Sequence, residues 1–228
     1  AQSLKDWELI IVNDGSTDTT GTLITEIGSI DSRIRIVRFT ENKGIQKALN
    51  EGLIQAKAGY IARIDDDDVW SDQKKLEKQL AYMTAHQDCV LVGTGLIVQD
   101  EQGNELYRFL NPTEDKRIRS LILYRNCFSH STVIFKKSAA MKFNGYDESE
   151  ATKHTEDYDL WLKLGTIGSF ANLPEYSVRF TSRAGAISNT NKLSQFAKQL
   201  AITKPYQGKY PNYVSNRLKS QLRYGLYW

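Results

Sequence analysis

Apolar positions in the first third of the chain switch between strand-like and helix-like spacing. Residues 7–12 form a short apolar run that ends in the turn-forming residues 13–16, a pattern typical of a buried strand. Across residues 45–56, apolar side chains recur at helical spacing, and Gly59 ends this helix. Residues 60–64 are again apolar and predict another buried strand. Strands and helices are therefore expected to alternate.

A helix over residues 17–30 and a strand over 33–39 fit the same alternation, and a further helix is expected after residue 71. This order predicts an α/β fold: a mainly parallel, Rossmann-like sheet with right-handed crossovers and helices on both faces. In such sheets the ligand crevice lies beyond the carboxyl ends of the strands. We therefore expect Asp14 and the acidic residues 65–68 on one rim.

The regular alternation of strands and helices ends after residue 88. Residues 89–99 read as a long strand, 101–104 as a hairpin turn and 106–110 as the returning strand, and the pattern over 156–164 suits a helix. We expect this half to form a smaller mixed layer packed on the first, without a linker. The predicted division is one domain over residues 1–190 and a basic, aromatic tail over 191–228.

Four consecutive aspartates, residues 65–68, follow the apolar run of 60–64. If the strand continues, alternation places Asp65 and Asp67 on one face. Four adjacent carboxylates repel one another, so they must be protonated, splayed into solvent or neutralised by a cation. Hard oxygen ligands suit Mg²⁺ or Mn²⁺. The alternative is a solvated acidic loop without a function.

Composition restricts the class of protein. The 228 residues are 40% hydrophobic and 25% charged, which is ordinary for a globular protein. Two cysteines are too few for a disulfide framework, which favours a reducing, cytoplasmic compartment. No apolar stretch approaches the roughly 20 residues of a transmembrane helix.

The net charge of +3 hides an asymmetry. Residues 176–228 contain nine Lys or Arg and no Asp or Glu, which leaves 21 basic and 27 acidic side chains, a charge of −6, in the rest. The basic tail has two interpretations: peripheral contact with the anionic inner face of a membrane, or packing against the body. The acidic body and the absence of a recognition motif predict no nucleic-acid partner.

Four motifs, in order, resemble family 2 inverting glycosyltransferases with the GT-A fold, over about residues 5–190. They are WELIIVNDGSTDTT, ENKGIQKALNEGLIQAKAGYIARIDDDDVW, HTEDYDLWLKLG and ANLPEYSVRFTSRAGAIS. In the family these correspond to the nucleotide-binding turn, the stretch running into the Asp-x-Asp metal motif, the Glu-Asp motif of the catalytic base, and the segment that closes the site.

The resemblance implies roles for individual carboxylates. Asp67 becomes the direct metal ligand, with Asp65 on the donor sugar or ribose or acting on the metal through water. Asp157 becomes the general base, with Glu156 orienting it or contacting the acceptor. Asp14 accepts a hydrogen bond from the uracil base. The plain alternatives are a turn aspartate at position 14 and two acids that complement the dipole of a core helix.

Three basic or imidazole side chains are also candidates. Arg63 contacts the nucleotide or merely offsets the acidic cluster. His130 falls where the family often has a His near the acceptor, although a lone His is more often structural. Arg183 stands where the family usually has a His. An Arg there faces the diphosphate through bidentate hydrogen bonds and is not a metal ligand.

A second departure concerns the start of the chain. Family members usually begin with a strand ending in Pro-x-Tyr-Asn and a helix, and neither precedes residue 7 here. We therefore expect a truncated chain. The sequence predicts metal-dependent, inverting transfer from a UDP-sugar to a glycan or lipid-linked acceptor in bacterial surface polysaccharide synthesis. The alternatives are a non-catalytic nucleotide- or sugar-binding module and a divalent-metal phosphohydrolase.

Overall fold

The computed structural model describes residues 2–183 and 192–225. In chain order, its strands and helices are β1 (Leu9–Asn13), α1 (Thr20–Ile30), β2 (Ile34–Arg38), α2 (Ile45–Gln55), β3 (Tyr60–Ala62), β4 (Val69–Trp70), α3 (Lys75–Ala85), β5 (Cys89–Gln99), β6 (Glu105–Phe109), α4 (Asp115–Leu121), β7 (Ile134–Lys136), α5 (Lys137–Met141), α6 (Glu156–Leu164), β8 (Ser169–Thr181), α7 (Lys192–Thr203) and α8 (Tyr213–Gly225). Short 3₁₀ turns occupy His130–Thr132 and Lys204–Tyr206.

The first four elements form a small α/β layer. Strands β1 and β2 pair in parallel, from Leu9 opposite Ile34 to Asn13 opposite Arg38. Helix α2 contacts β1 through a face that buries Leu53. The predicted apolar side of α1 is less covered than its pattern suggests, since Leu23 is 54% exposed.

A second, larger sheet has the strand order β3-β7-β5-β8-β4, with β6 paired to the other end of β5. The α/β architecture predicted from the sequence is confirmed, but the sheet is more mixed than the alternation indicated. Only β1–β2 and β5–β8 are parallel among the pairings described, and the others are antiparallel. The reason is that β7 runs between β3 and β5 and separates two strands that point the same way.

The main core lies in the second half of the chain. Helix α6 is buried along most of its length, with Trp161 and Leu160 fully enclosed. Strands β5, β7 and β8 contribute further side chains to the same cluster, and Ile202 and Tyr210 join it from the last third. The first turn of α6 is therefore held by a packed core on several sides. Within the described residues, no helix has both the length and the apolar character needed to cross a membrane.

Candidate active site

The acidic residues 65–68 form a turn. Strand β3 ends at Ala62, and the N–H of Asp68 donates to the carbonyl oxygen of Asp65 at 3.2 Å. The extended backbone does not continue, so the predicted alternation of faces does not apply. A turn concentrates the four carboxylates instead of separating them.

Asp65 is fixed from two directions. Its carboxylate forms an ion pair with Arg63, whose side chain is 14% exposed. Burial opposes the charge on Arg63, and Asp65 nevertheless raises the pKa of the guanidinium. The hydroxyl of Ser131 donates to Asp65 Oδ2 at 3.0 Å and accepts the N–H of Asp65 at 2.9 Å. These contacts join the acidic turn to the 3₁₀ turn at His130–Thr132.

The other aspartates of the turn differ in burial. Asp66 and Asp67 are exposed, whereas Asp68 is half-buried and its Oδ1 atom has no hydrogen-bond partner in the described part of the chain. Burial raises the pKa of Asp68 to about 6, and the negative charges of Asp65 and Asp67 add to the rise. A hydrogen bond from Ser131 and the charge of Arg63 act in the opposite direction. The turn therefore carries unneutralised negative charge.

Asp14 performs a structural task that its spacing did not reveal. Its two carboxylate oxygens accept the backbone N–H groups of Lys43, at 2.6 Å, and Gly44, at 2.9 Å. These residues immediately precede α2, so Asp14 fixes the start of that helix. Gly15 follows with a φ of 71°, and a Cβ atom there would lie 2.4 Å from the backbone carbon of Glu41. Only glycine fits so close a turn.

Helix α6 begins at Glu156 and Asp157. Asp157 Oδ2 accepts a hydrogen bond from the side-chain amide of Asn126 at 2.9 Å. Burial and the neighbouring charge of Glu156 raise the pKa of Asp157 to about 7, while the N–H of Tyr158, Asn126 and Arg63 oppose the rise. Glu156 is 5% exposed, and none of the residues that the structure describes forms a hydrogen bond with its Oε2 atom.

Arg63 and Tyr146 lie near both the acidic turn and the start of α6. The charge of Arg63 is close enough to Asp157 to lower the pKa of that carboxyl. Tyr146 is buried, which raises the pKa of its phenol, and the charges of Asp157, Glu156 and Asp65 raise it further. The structure thus brings the pair Arg63 and Asp65 near the pair Glu156 and Asp157, although the two pairs are far apart in the sequence.

His130 occupies the interior of this region. One ring nitrogen lies 2.9 Å from the hydroxyl of Tyr146, and the ring packs edge-on against Trp161 at a centroid distance of 5.7 Å. Burial lowers the pKa of His130 well below 6.5, and Arg63 lowers it further. A neutral imidazole that supports Tyr146 matches the structural alternative considered for this residue.

Two buried amides of α2 position the loop that leads to α6. Gln46 donates to the carbonyl oxygens of Asp147 and Ser149, each at 2.9 Å. Asn50 donates to the carbonyl oxygen of Tyr146 and accepts its N–H, each at 2.8 Å. Helix α2 therefore connects the Asp14 turn at its start with the loop before Asp157.

The metal site predicted for Asp67 and Asp65 can be compared with the oxygen atoms that the acidic turn offers as ligands. Within residues 2–183 and 192–225, no group of three or more His, Cys, Asp and Glu side chains is arranged to hold a metal ion. The turn nevertheless offers hard oxygen donors: the exposed carboxylate of Asp67 and the unpartnered Oδ1 of Asp68. Mg²⁺ or Mn²⁺ takes few protein ligands and completes its shell with water and substrate oxygens. The residues present fit such an ion.

Arg183 is exposed and is the last residue described before position 192. The rest of the predicted closing segment, residues 184–188, lies outside the described residues. Sequence reasoning missed three supporting residues: Asn126, Ser131 and Tyr146. The available signal was weak: Asn126 and Ser131 are polar side chains in a loop of otherwise mostly buried residues.

Comparison with known proteins places the chain in a family. The family described as Glycosyl transferase family 2 matches residues 1–148. EpsE of Bacillus subtilis (strain 168) is 36% identical over 188 residues, which cover 81% of this chain and 66% of EpsE. The O-antigen biosynthesis glycosyltransferase WbnJ of Escherichia coli is 35% identical over 164 residues, 72% of this chain and 62% of WbnJ. The chain thus spans somewhat less than two thirds of the length of these relatives.

Solved structures support the same fold. TarS 1-349 of S. aureus in complex with UDP aligns with a TM-score of 0.64 at 18% identity, covering 88% of this chain and 58% of that one. The mannosyltransferase PcManGT from Pyrobaculum calidifontis, in complex with GDP-Man and Mn²⁺, aligns with a TM-score of 0.65 at 16% identity, covering 95% and 60%. The chain has the α/β fold of GT-A glycosyltransferases and belongs to glycosyl transferase family 2.

Proposed function

We propose that this chain is the catalytic domain of an inverting, metal-dependent glycosyltransferase. It transfers a sugar from a nucleotide-sugar, a UDP-sugar in the first instance, to a hydroxyl group of a glycan or lipid-linked acceptor. The proposal rests above all on one observation: the half-buried carboxyl of Asp157, whose pKa burial and Glu156 raise to about 7, lies within electrostatic reach of Arg63, which pairs with Asp65. A proton acceptor and a group suited to a diphosphate donor therefore share one region.

Asp157 is the general base of this mechanism. The acceptor oxygen attacks the anomeric carbon as the bond from that carbon to the diphosphate oxygen breaks, and the hydroxyl proton passes to Asp157. The nucleoside diphosphate leaves with the bonding electrons. One displacement on the face opposite the leaving group inverts the anomeric centre. Asn126 holds the carboxylate through the 2.9 Å hydrogen bond, and Glu156 orients the base or contacts the acceptor.

Asp67, assisted by Asp65, is the residue proposed to hold Mn²⁺ or Mg²⁺, and the unpartnered oxygen of Asp68 is available beside them. When bound, the ion supplies Lewis-acid stabilisation of the departing diphosphate. Arg63 adds a fixed positive charge next to Asp65. The PcManGT complex with Mn²⁺ supports a divalent ion by analogy of fold.

The nucleotide is proposed to contact Asp14, Arg63 and Arg183. Both oxygens of Asp14 already accept backbone hydrogen bonds, yet each carboxylate oxygen has a second lone pair for a donor on the base. The UDP complex of TarS supports a uridine nucleotide. Arg183 is proposed to face the diphosphate with its planar guanidinium.

The acceptor and the setting are inferred from relatives. WbnJ is named for O-antigen biosynthesis, which supports a growing bacterial surface glycan, free or lipid-linked. We place the reaction in the cytoplasm, with peripheral contact at the inner face of the membrane. No contact with nucleic acid is proposed.

The decisive experiment compares Asp157→Asn with the wild type. Donor hydrolysis or transfer with Mn²⁺ is expected to fall by about 10³-fold or more, while the thermal shift produced by UDP with Mn²⁺ persists. Asp67→Asn is expected to lose the Mn²⁺-dependent part of that shift. Asp66→Asn, an exposed neighbour in the same turn, is the matched control and should behave as the wild type.

The outcomes separate the alternatives. Nucleotide binding without turnover of any UDP-sugar would indicate a non-catalytic binding module. Release of inorganic phosphate would indicate a phosphohydrolase, because glycosyl transfer from a UDP-sugar leaves the diphosphate intact. Full activity of Asp157→Asn would refute the assignment of the base.

A further inference from the structure

Helix α8 packs on the body through polar side chains. Asn216 and Ser220 are 2% and 8% exposed. The amide of Asn216 donates to the carbonyl oxygen of Ser120 at 2.9 Å, and the hydroxyl of Ser220 donates to that of Tyr124 at 3.2 Å. An amphipathic helix on a protein surface ordinarily turns its apolar side inward. The side of α8 that faces inward here contains hydrogen-bonding groups.

The opposite side of α8 is apolar and exposed. Val214, Leu218 and Leu222 are 68%, 55% and 71% exposed. They are spaced four residues apart, so they form one stripe about 12 Å long on the helix surface. The apolar side of α8 therefore faces away from the protein core, and its polar side faces the core. Its apolar side has no cover among the described residues.

Charge indicates which kind of surface covers this stripe. No Asp or Glu occurs from residue 176 to residue 228, whereas nine Lys or Arg do. Lys219, beside Leu218, is exposed, as are Lys204 and Lys209 on the turns before α8. Two copies of the chain meeting through this face would place basic segments against each other. An anionic surface complements the charge and the apolar stripe together.

We propose that the exposed face of α8 is a docking surface for an anionic lipid bilayer. Val214, Leu218 and Leu222 enter the boundary between headgroups and acyl chains, and Lys219 contacts lipid phosphates. Shallow insertion of one helix face is compatible with the short stripe, because such a helix lies in the plane of the interface.

The position of α8 relates this surface to the reaction, and this step depends on the proposed function. Helix α8 bonds to Ser120 and Tyr124, and that segment leads within two residues to Asn126, which holds Asp157. A bilayer on the outer side of α8 is thus separated from the segment that supports the base by one helix diameter, about 10 Å. A lipid-linked acceptor, whose glycan begins at the membrane surface, suits this arrangement.

The test is co-sedimentation of the full chain with vesicles of phosphatidylcholine, with and without phosphatidylglycerol. The wild type is expected to pellet with the anionic vesicles, and less at higher ionic strength. The triple variant Val214→Ser, Leu218→Gln, Leu222→Gln is expected to bind them about tenfold or more weakly. Lys219→Glu is expected to weaken binding several-fold and to reduce the salt dependence.

A matched triple variant on exposed apolar positions elsewhere is the control: Ile30→Gln, Ile54→Gln, Leu106→Gln, which are 82%, 60% and 54% exposed in the wild type. It should bind vesicles as the wild type does. The surface assignment is overturned if the wild type ignores anionic vesicles, if both triple variants lose binding equally, or if the α8 variant binds normally. It is also overturned if the stripe serves only a dimer that the α8 variant abolishes.

Donor hydrolysis without vesicles keeps this proposal apart from the proposed function. The α8 variants are expected to hydrolyse a UDP-sugar with Mn²⁺ at the wild-type rate, which also shows that they fold. In one outcome, the wild type hydrolyses no donor while it binds anionic vesicles and the α8 variants bind them more weakly. In that case the catalytic proposal fails and the docking surface stands.

Discussion

The proton affinity of Asp157 is set by named neighbours. Burial and Glu156 raise the pKa, and the N–H of Tyr158, the amide of Asn126 and the charge of Arg63 lower it, with a result of about 7. A base is most effective when its pKa lies near the working pH, since it is then both ionised and basic. Asp157 meets this condition because burial and Glu156 outweigh the three lowering contributions and raise the pKa from 3.8 to about 7.

The first prediction concerns the pH dependence of the rate. Because the ionised carboxylate of Asp157 is the proposed base, kcat/KM should rise with pH through an apparent pKa near 7. Asn126→Ala removes a donor that stabilises the carboxylate, so this limb should move up by about one pH unit. Asn104→Ala, in the exposed hairpin turn, is the control. An unchanged apparent pKa of kcat/KM in Asn126→Ala would show that Asn126 does not lower the pKa of Asp157.

The second prediction concerns stability. The folded-state pKa of Asp157 is raised above the ordinary 3.8, so the unfolded chain releases its proton first and stability declines as pH rises from about 4 to 7. Asp157→Asn removes this penalty. We expect the variant to unfold at a higher temperature than the wild type at pH 8 and at a similar one near pH 4. Equal melting curves at pH 8 would contradict the raised pKa.

Side chains that support the site were the least predictable from sequence. The resemblance identified Asp14, Asp65 and Asp157 by motif, and the structure brings Asp65 and Asp157 into one neighbourhood through Arg63. Asn126 and Ser131 were missed because each acts across 31 or 66 residues of chain, through contacts that no local pattern encodes.

At the scale of elements, helix α2 has its start fixed from a distant turn. Asp14 accepts the N–H groups of Lys43 and Gly44, so a carboxylate 29 residues away in sequence does the work of a capping side chain. The third prediction follows. Asp14→Ala should lower the free energy of unfolding by about 1–2 kcal/mol in the absence of nucleotide, measured by urea denaturation. Asp6→Ala, at an exposed position before β1, is the comparison.

If Asp14 served the nucleotide alone, Asp14→Ala would leave stability without ligand unchanged. A loss of stability together with weaker UDP binding would show that the residue has both tasks.

Helix α3 begins with a buried lysine that has no carboxylate partner among residues 2–183 and 192–225. Lys75 is 1% exposed, donates to Gln79 Oε1 at 2.9 Å and lies 4.3 Å from the centre of the Trp70 ring. Burial lowers its pKa to about 7. Trp70 in turn donates to the carbonyl oxygen of Ser131 at 2.9 Å. Trp70 therefore links Lys75 to the 3₁₀ turn whose Ser131 binds Asp65.

The fourth prediction uses this lysine. The native state releases the proton of Lys75 near pH 7 while the unfolded chain keeps it to about 10.5, so wild-type stability should rise with pH in that window by up to about 1.4 kcal/mol per pH unit. Lys75→Met should be more stable than the wild type at pH 7 and lose this dependence. Denaturation curves at several pH values decide it, with exposed Lys74→Met as the control. Parallel pH profiles of Lys75→Met and the wild type would refute it.

The order of elements was predictable because apolar spacing is a local property. The periodicity over residues 45–56 predicted α2, and the apolar run over 60–64 predicted β3 in a longer form. Strand pairing was not predictable to the same degree. The short sequence of β7 does not predict that this strand pairs between β3 and β5. Strand pairing depends on the competition among all strands for partners, which is not a local property.

At the scale of the whole molecule, residues 192–225 contact the body extensively. The hydroxyl of Tyr210 donates to the carbonyl oxygen of Leu162 at 2.8 Å, and both Ile202 and Tyr210 lie in the main core cluster. Lys198 donates to the carbonyl oxygens of Glu150 and Lys153. The division into a domain over 1–190 and a tail over 191–228 stays a prediction, and these contacts favour a single cooperative unit.

The fifth prediction tests that unit. Tyr210→Ala removes a buried ring and its hydrogen bond, and should lower the free energy of unfolding by about 3–5 kcal/mol in one transition that includes the whole chain. Tyr107→Ala, whose ring is 58% exposed, should have little effect. Two separate transitions, with only the smaller one sensitive to Tyr210→Ala, would instead support an independent tail.

The two amides of α2 have a consequence for how such a protein can change. Gln46 and Asn50 bind the loop before Asp157, while the start of the same helix rests on Asp14. Any mutation that tilts or shifts this rod displaces both of its ends. If Asp14 and Asp157 have the proposed roles, recognition of the donor and abstraction of the proton are then inherited as a linked pair, and new donor preferences should arise more readily in peripheral loops than along α2.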